Sequence, residues 1–170
     1  MHKIEIPQIN GKDLSESRLR FSRVAQALLG LIGVVVIVGA LTTPYMAAAT
    51  LAYGLMSIGL LNRKTTIVHA RLMGSAIALD LGIVLTLELQ RHAINTALSF
   101  SLTPMQQAHI AMSSIATLLY FPVVFLGWQR FRGKLSASGM RWHIRLGISA
   151  YAFRTLGFIL MFALLEQKIH

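Results

Sequence analysis

The sequence contains five long stretches that are predominantly apolar. Two of them, 24–41 and 44–61, are each 18 residues long and hold no charged side chain. A helix needs roughly 20 such residues to cross the hydrocarbon core of a bilayer, where its backbone amides must be satisfied internally. The other three stretches are 67–92, 104–128 and 140–165. The sequence therefore predicts an all-α, polytopic transmembrane helix bundle of about five spans.

These stretches divide the chain into a short tail, one membrane domain and a second short tail. Residues 1–17 form a cytoplasmic polar tail, 18–165 the single transmembrane domain, and 166–170 an outer tail. Within the domain, an N-terminal helix precedes a four-helix core. The predicted spans are 18–41, 44–61, 67–92, 104–128 and 140–165.

Two of the predicted helices begin with recognisable capping residues. Thr43 precedes Pro44, which suits the first helical position because proline has no amide hydrogen to leave unsatisfied. Thr103 precedes Pro104 and is followed three residues later by Gln106, the pattern of a capping box. These signals predict helices that begin at 44 and 104.

The composition supports a membrane protein and excludes thiol chemistry. Hydrophobic residues make up 55% and charged residues 13% of the chain, whereas soluble domains average about 25% charged residues. Cysteine is absent, which excludes disulfides, thiolate metal sites and catalytic thiols. A bound metal would therefore need His, Met, carboxylate or Tyr ligands.

The positive charges are concentrated on one side of the predicted bundle. Of the 16 Lys and Arg residues, 13 lie in the segments 1–23, 62–71 and 129–145, which five spans place at the same face. The positive-inside rule then predicts a multi-pass protein of the bacterial inner (plasma) membrane with its N-terminus in the cytoplasm and its C-terminus outside. The expected partner is the lipid bilayer, and this distribution accounts for the basic character without nucleic acid.

Four histidines lie near the ends of the predicted helices. His69 and His143 fall at the cytoplasmic face, and His92 and His109 fall at the outer face. Neutral imidazole is a common ligand of haem iron and of copper, so each pair predicts one cofactor or metal site. Glu88, one turn before His92, is placed to orient a ligand. The alternative is that interfacial histidines contribute only to packing.

Three polar residues lie near the middle of the predicted spans. Asp80, Tyr120 and Arg154 each follow a histidine of the same helix by 11 residues, nearly three turns and about 16 Å. Because charges within a bilayer normally pair inside the bundle, we expect an Asp80–Arg154 ion pair with Tyr120 beside it. The cluster either fixes helix packing, relays protons or electrons, or uses Arg154 to hold a haem propionate.

Several short motifs resemble those of the YozB-like membrane family, whose bacterial members include CtaM-like proteins. The resemblance begins at residues 68–73 (Val-His-Ala-Arg-Leu-Met), continues through His92, 109–112 and 121–123, and ends at 143–145. It covers about residues 60–165. It implies a role in the maturation of haem–copper terminal oxidases and carries over the four histidines. More distantly, the layout resembles transmembrane b-type cytochromes that bind two haems.

Three classes of function remain open from the sequence. The first is a protein that holds haem b, or alternatively copper, and acts in respiratory electron transfer or oxidase maturation, with a respiratory oxidase or another membrane complex as partner. The second is a non-catalytic accessory subunit in which the histidines and the Asp80–Arg154 pair only fix packing. A transporter or enzyme built around Asp80, Arg154 and Glu88 ranks last, because no nucleophile–base set, hydrolase metal motif or phosphate loop is present.

Overall fold

The computed structural model of the chain describes residues 11–91 and 102–166, and within these ranges its regular structure is entirely α-helical. Each of the five helices contains a stretch long and apolar enough to cross a membrane. The predicted all-α bundle of five spans is therefore confirmed. The helices are α1 Gly11–Leu41, α2 Pro44–Leu61, α3 Thr66–Arg91, α4 Pro104–Phe131 and α5 Ala137–Glu166.

The capping residues act as the sequence predicts. The Thr43 hydroxyl accepts a hydrogen bond from the Met46 amide at 3.3 Å, at the start of α2. At the start of α4, the Thr103 hydroxyl accepts from the Gln106 amide at 3.4 Å, and the Gln106 side chain accepts from the Thr103 amide at 3.0 Å. Each cap satisfies amides that the first turn of a helix leaves without a partner.

Several helix boundaries differ from the prediction. The first helix begins at Gly11 rather than at 18, so part of the predicted polar tail is helical. No glycine or proline interrupts residues 12–29, and a helix continues past its apolar section where nothing breaks it. The predicted third helix ends at Arg91 in the described part, and His92 lies outside the described residues.

The segment between α4 and α5 is shorter than predicted. Helix α4 continues to Phe131 instead of ending at 128, and α5 begins at Ala137 instead of 140 and extends to Glu166, the first residue of the predicted outer tail. The Ser136 hydroxyl accepts a hydrogen bond from the Gly139 amide at 3.1 Å, as a helix cap does. This serine is the sequence signal for the earlier start.

The helices pack as two antiparallel pairs. Helix α2 packs along α3 and α4 packs along α5, while the two pairs meet over smaller contacts between α2 and α5 and between α3 and α4. Small side chains allow close approach of transmembrane helices, and the common core contains several of them. Its buried residues are Met56, Ala76, Ile77, Ala116, Tyr120 and Ala150.

Helix α1 packs against α2 and presents an apolar surface outward. Among the described contacts of α1, those with α2 dominate. Gly54 of α2 allows this contact, since a Cβ atom there would lie 2.2 Å from Leu31 Cδ1. Phe21, Leu29 and Ile37 are exposed within the described chain, as expected for side chains that face lipid.

Helices α4 and α5 are in close contact at a glycine. A Cβ atom on Gly157 would lie 2.7 Å from the Ser113 hydroxyl and 3.5 Å from the Ser113 amide nitrogen. The Ser113 hydroxyl is buried and has no hydrogen-bond partner among the described residues. Removing that hydroxyl should therefore cost little and should create space beside Gly157.

We expect Gly157→Ala to lower the free energy of unfolding by about 1–3 kcal/mol, because the added methyl group overpacks the interface. In a Ser113→Ala background the same substitution should cost clearly less. The measurement is a double-mutant cycle of reversible unfolding in detergent. Gly82→Ala is the control, because nothing lies within 4 Å of its Cβ position. Equal costs of Gly157→Ala in both backgrounds would contradict the proposed contact.

Candidate functional site

The three polar residues predicted at the middle of the spans form one buried cluster. Arg154 Nη2 donates to Asp80 Oδ1 at 2.5 Å, and the Tyr120 hydroxyl donates to Asp80 Oδ2 at 2.8 Å. All three residues are buried. The predicted ion pair and its tyrosine neighbour are confirmed as contacts, and they connect α3, α4 and α5.

The cluster compensates a charge that would otherwise be very costly in a membrane. Both oxygens of Asp80 accept a hydrogen bond, and the guanidinium of Arg154 balances the negative charge. A charge-assisted hydrogen bond in a medium of low dielectric constant is stronger than one in water. The side chain of Arg154 is therefore held by its hydrogen bond and ion pair with Asp80.

The three histidines that the structure describes share one arrangement. The ring nitrogen Nδ1 of each donates to a backbone carbonyl of a neighbouring helix. The bonds are His69 to Gly59 at 2.8 Å, His143 to Val123 at 3.2 Å, and His109 to Gly157 at 2.7 Å. The bond of His69 joins α3 to α2, and the bonds of His143 and His109 both join α4 and α5. Each bond therefore links two neighbouring helices.

This arrangement determines which ring nitrogen can bind a metal. A carbonyl oxygen only accepts hydrogen bonds, so Nδ1 must carry the proton in each of these three contacts. In a neutral imidazole the other nitrogen, Nε2, then has a free lone pair. Metal-binding histidines are commonly held in this way, with the remaining N–H bonded to a carbonyl or carboxylate.

His69 and His143 line the same cavity, as their predicted pairing requires. The cavity has a volume of about 650 Å³ and lies between the two helix pairs. Its walls come from the end of α2, the start of α3, the end of α4 and the start of α5, so it lies at the end of the bundle that carries the basic loops. Arg154 does not line this cavity. Its position therefore does not support the role suggested from the sequence, in which Arg154 would hold a haem propionate.

Two glycines leave open space along the walls of the cavity. Gly74 follows His69 by five residues on α3, and Gly147 follows His143 by four residues on α5. Both line the cavity, and nothing lies within 4 Å of the position of a Cβ atom on either one. Apolar side chains such as Ile77, Val123 and Phe131 make up much of the remaining wall. The space therefore suits a largely apolar ligand.

The outer histidine pair is only half described. His109 is half-buried in α4, whereas His92 lies outside the described residues. Their pairing, and the role of Glu88 toward His92, stay predictions. Within residues 11–91 and 102–166, no three His, Cys, Asp or Glu side chains converge on a point where they could hold a metal ion.

A second polar cluster, between α2 and α5, was not predicted. The Tyr53 hydroxyl lies 3.3 Å from the Tyr151 hydroxyl and 3.2 Å from the Thr155 hydroxyl, and the Ser57 hydroxyl lies 3.0 Å from that of Tyr151. Tyr53 also stacks on Phe158, with 4.4 Å between the ring centroids. The sequence signal is a pair of polar residues four positions apart on each helix, which places them on one face.

Comparison of the chain with models of known families, with curated proteins and with solved structures finds no match in any of the three. The fold by itself defines the class of this protein. It is a multi-pass helical protein whose five apolar helices are suited to a membrane.

We expect Asp80→Asn and Arg154→Gln each to lower the free energy of unfolding by about 3–5 kcal/mol, because each leaves one buried group without its partner. The double variant should lose clearly less than the sum of the two. The measurement is unfolding in detergent. As a control, the losses of unfolding free energy caused by Asp80→Asn and by Arg145→Gln, at an exposed residue, should add in the double variant. Additive losses for Asp80→Asn with Arg154→Gln would contradict the coupling.

Proposed function

We propose that this protein binds one haem b between its two helix pairs, and that His69 and His143 would hold the iron. One observation carries the proposal. Two histidines from different helix pairs line one cavity, and each has Nδ1 bonded to a carbonyl and Nε2 left as the metal-binding nitrogen. Structural histidines would have no need of a shared cavity.

Haem suits this site better than a copper ion alone. A copper ion normally takes three or more protein ligands. Within the described residues no third His, Cys, Asp or Glu joins His69 and His143, and the thioether of Met73 is the further soft donor that lines the cavity. Haem iron receives four nitrogens from the porphyrin and needs only two more donors. The cavity volume of about 650 Å³ also falls in the range of about 300–1,000 Å³ that is usual for cofactor sites.

The residues of the chain would perform distinct tasks around the cofactor. The carbonyls of Gly59 and Val123 hold the imidazole planes, and Gly74 and Gly147 leave space for the face of a planar ring. Apolar side chains exclude water and thereby influence the redox potential of the iron. When bound, haem b supplies one-electron oxidation and reduction.

The cellular role that we propose is respiratory electron transfer or the maturation of a haem–copper oxidase in the bacterial plasma membrane. The concentration of Lys and Arg at one face supports an orientation with the N-terminus in the cytoplasm. The resemblance of residues 68–73 and 143–145 to the YozB-like family supports the oxidase connection. Under this proposal the cavity lies near the cytoplasmic face.

A structural accessory subunit is the second candidate. The observation that favours it is the Asp80–Tyr120–Arg154 cluster, which joins three helices through two hydrogen bonds, one of which is also an ion pair. Such a subunit would not bind haem, and its histidines would contribute to packing through their carbonyl contacts alone, as the contact of His109 with Gly157 outside the cavity does.

Titration of the purified apoprotein with hemin should produce a saturable Soret shift at one haem per cavity. His69→Ala and His143→Ala should abolish the shift. Gly147→Leu and Gly74→Leu should also prevent binding, because a leucine side chain would extend into the cavity from a Cβ position that no atom approaches within 4 Å. The measurement is visible absorbance, with circular dichroism to confirm that each variant is folded.

Gly82→Leu is the matched control for these glycine variants. Gly82 lies on α3, has nothing within 4 Å of its Cβ position and does not line the cavity. It should bind hemin as the wild type does. A folded wild-type protein with no Soret shift on addition of hemin would overturn the proposal in favour of the structural subunit.

A further inference from the structure

The charged groups of the cavity are distributed unevenly. Three arginines line it, and no aspartate or glutamate is among its lining residues. Arg63 lies in the α2–α3 loop, Arg71 in the first two turns of α3, and Arg130 near the end of α4. All three belong to the same end of the bundle as the basic loops.

The opposite end of the cavity is apolar apart from one hydroxyl group. Ile77 follows His69 by eight residues on α3, and Tyr151 follows His143 by eight residues on α5, a rise of about 12 Å in each helix. Val123 precedes Arg130 by seven residues on α4, about 10 Å toward the interior. The cavity thus runs from a cationic mouth, past the two histidines, to an apolar inner end.

From this polarity we infer that the cavity selects a ligand that carries carboxylates at one edge and binds it in a single orientation, with that edge toward Arg63, Arg71 and Arg130. The inference rests on the proposed haem site and adds the direction in which the ligand enters. Arginine suits this task because its planar guanidinium forms paired hydrogen bonds with a carboxylate.

The arginines are available for such a ligand. Arg63 and Arg71 are exposed. Arg130 Nη1 donates a hydrogen bond to the Met140 thioether at 3.4 Å, and a thioether is a weak acceptor that a carboxylate can replace. Arg154, in contrast, is buried and bonded to Asp80. The two propionates of haem b would therefore point to the basic face, and its apolar edge would point to Ile77 and Tyr151.

The test compares hemin with hemin dimethyl ester, which has the same iron and ring but no carboxylates. In the wild type, hemin should bind at least tenfold more tightly than the ester, as expected for lost charge-assisted hydrogen bonds. In the triple variant Arg63→Gln/Arg71→Gln/Arg130→Gln, this ratio should fall close to one while the affinity for the ester stays unchanged. The measurement is the dissociation constant from Soret titrations.

The control is Lys134→Gln/Arg141→Gln/Arg145→Gln, which removes the same charge from exposed residues of the same end that do not line the cavity. It should keep the wild-type ratio. Equal affinity of the wild type for hemin and its ester, or equal loss in both triple variants, would overturn the inference and leave the haem site itself intact. Binding of neither porphyrin would overturn both.

Discussion

The Asp80–Arg154 ion pair is the contact on which the rest of the bundle depends. Helices in a bilayer gain little from apolar contact with one another, because the lipid tails are equally apolar. The α2–α3 and α4–α5 pairs meet over small areas, and the buried pair joins them with Tyr120 as a second donor to the same carboxylate. The contact joins the two pairs near the middle of the spans, and the cavity lies between the same pairs on its basic side.

The histidines use the same helix pairing for a different purpose. His69 is held by a carbonyl of α2 and His143 by a carbonyl of α4, so each ring is oriented within its own helix pair and the two rings approach the cavity from opposite walls. A ligand that bound both Nε2 atoms would add a further link between the two pairs, beside the Asp80 cluster and the Tyr53 cluster. Such a ligand would stabilise the fold, and this stabilisation would increase with the logarithm of its concentration above Kd, because the separated pairs cannot bind it in this way.

The spacing of residues along each helix predicts part of this site. The rotation of neighbouring helices about their axes determines the rest. The 11-residue offsets bring Asp80 and Arg154 to one depth and one face, and the charge cost in a bilayer makes their pairing the expected outcome. The carbonyls of Gly59 and Val123 and the open positions at Gly74 and Gly147 depend on how far neighbouring helices rotate and slide, which side-chain packing determines. The contacts of the Tyr53 cluster also depend on this rotation. The four-residue spacing of its polar residues indicates that they share one face of their helix, but it does not indicate which other helix packs against that face.

The central claim is that one iron would be held by both His69 and His143. The most direct measurement is the low-temperature electron paramagnetic resonance spectrum of the ferric hemin complex of the purified protein, recorded for the wild type and for His143→Ala. The account predicts a low-spin signal typical of two imidazole ligands in the wild type and a high-spin signal in the variant. A high-spin wild-type complex, or a low-spin signal that persists in His143→Ala, would contradict it.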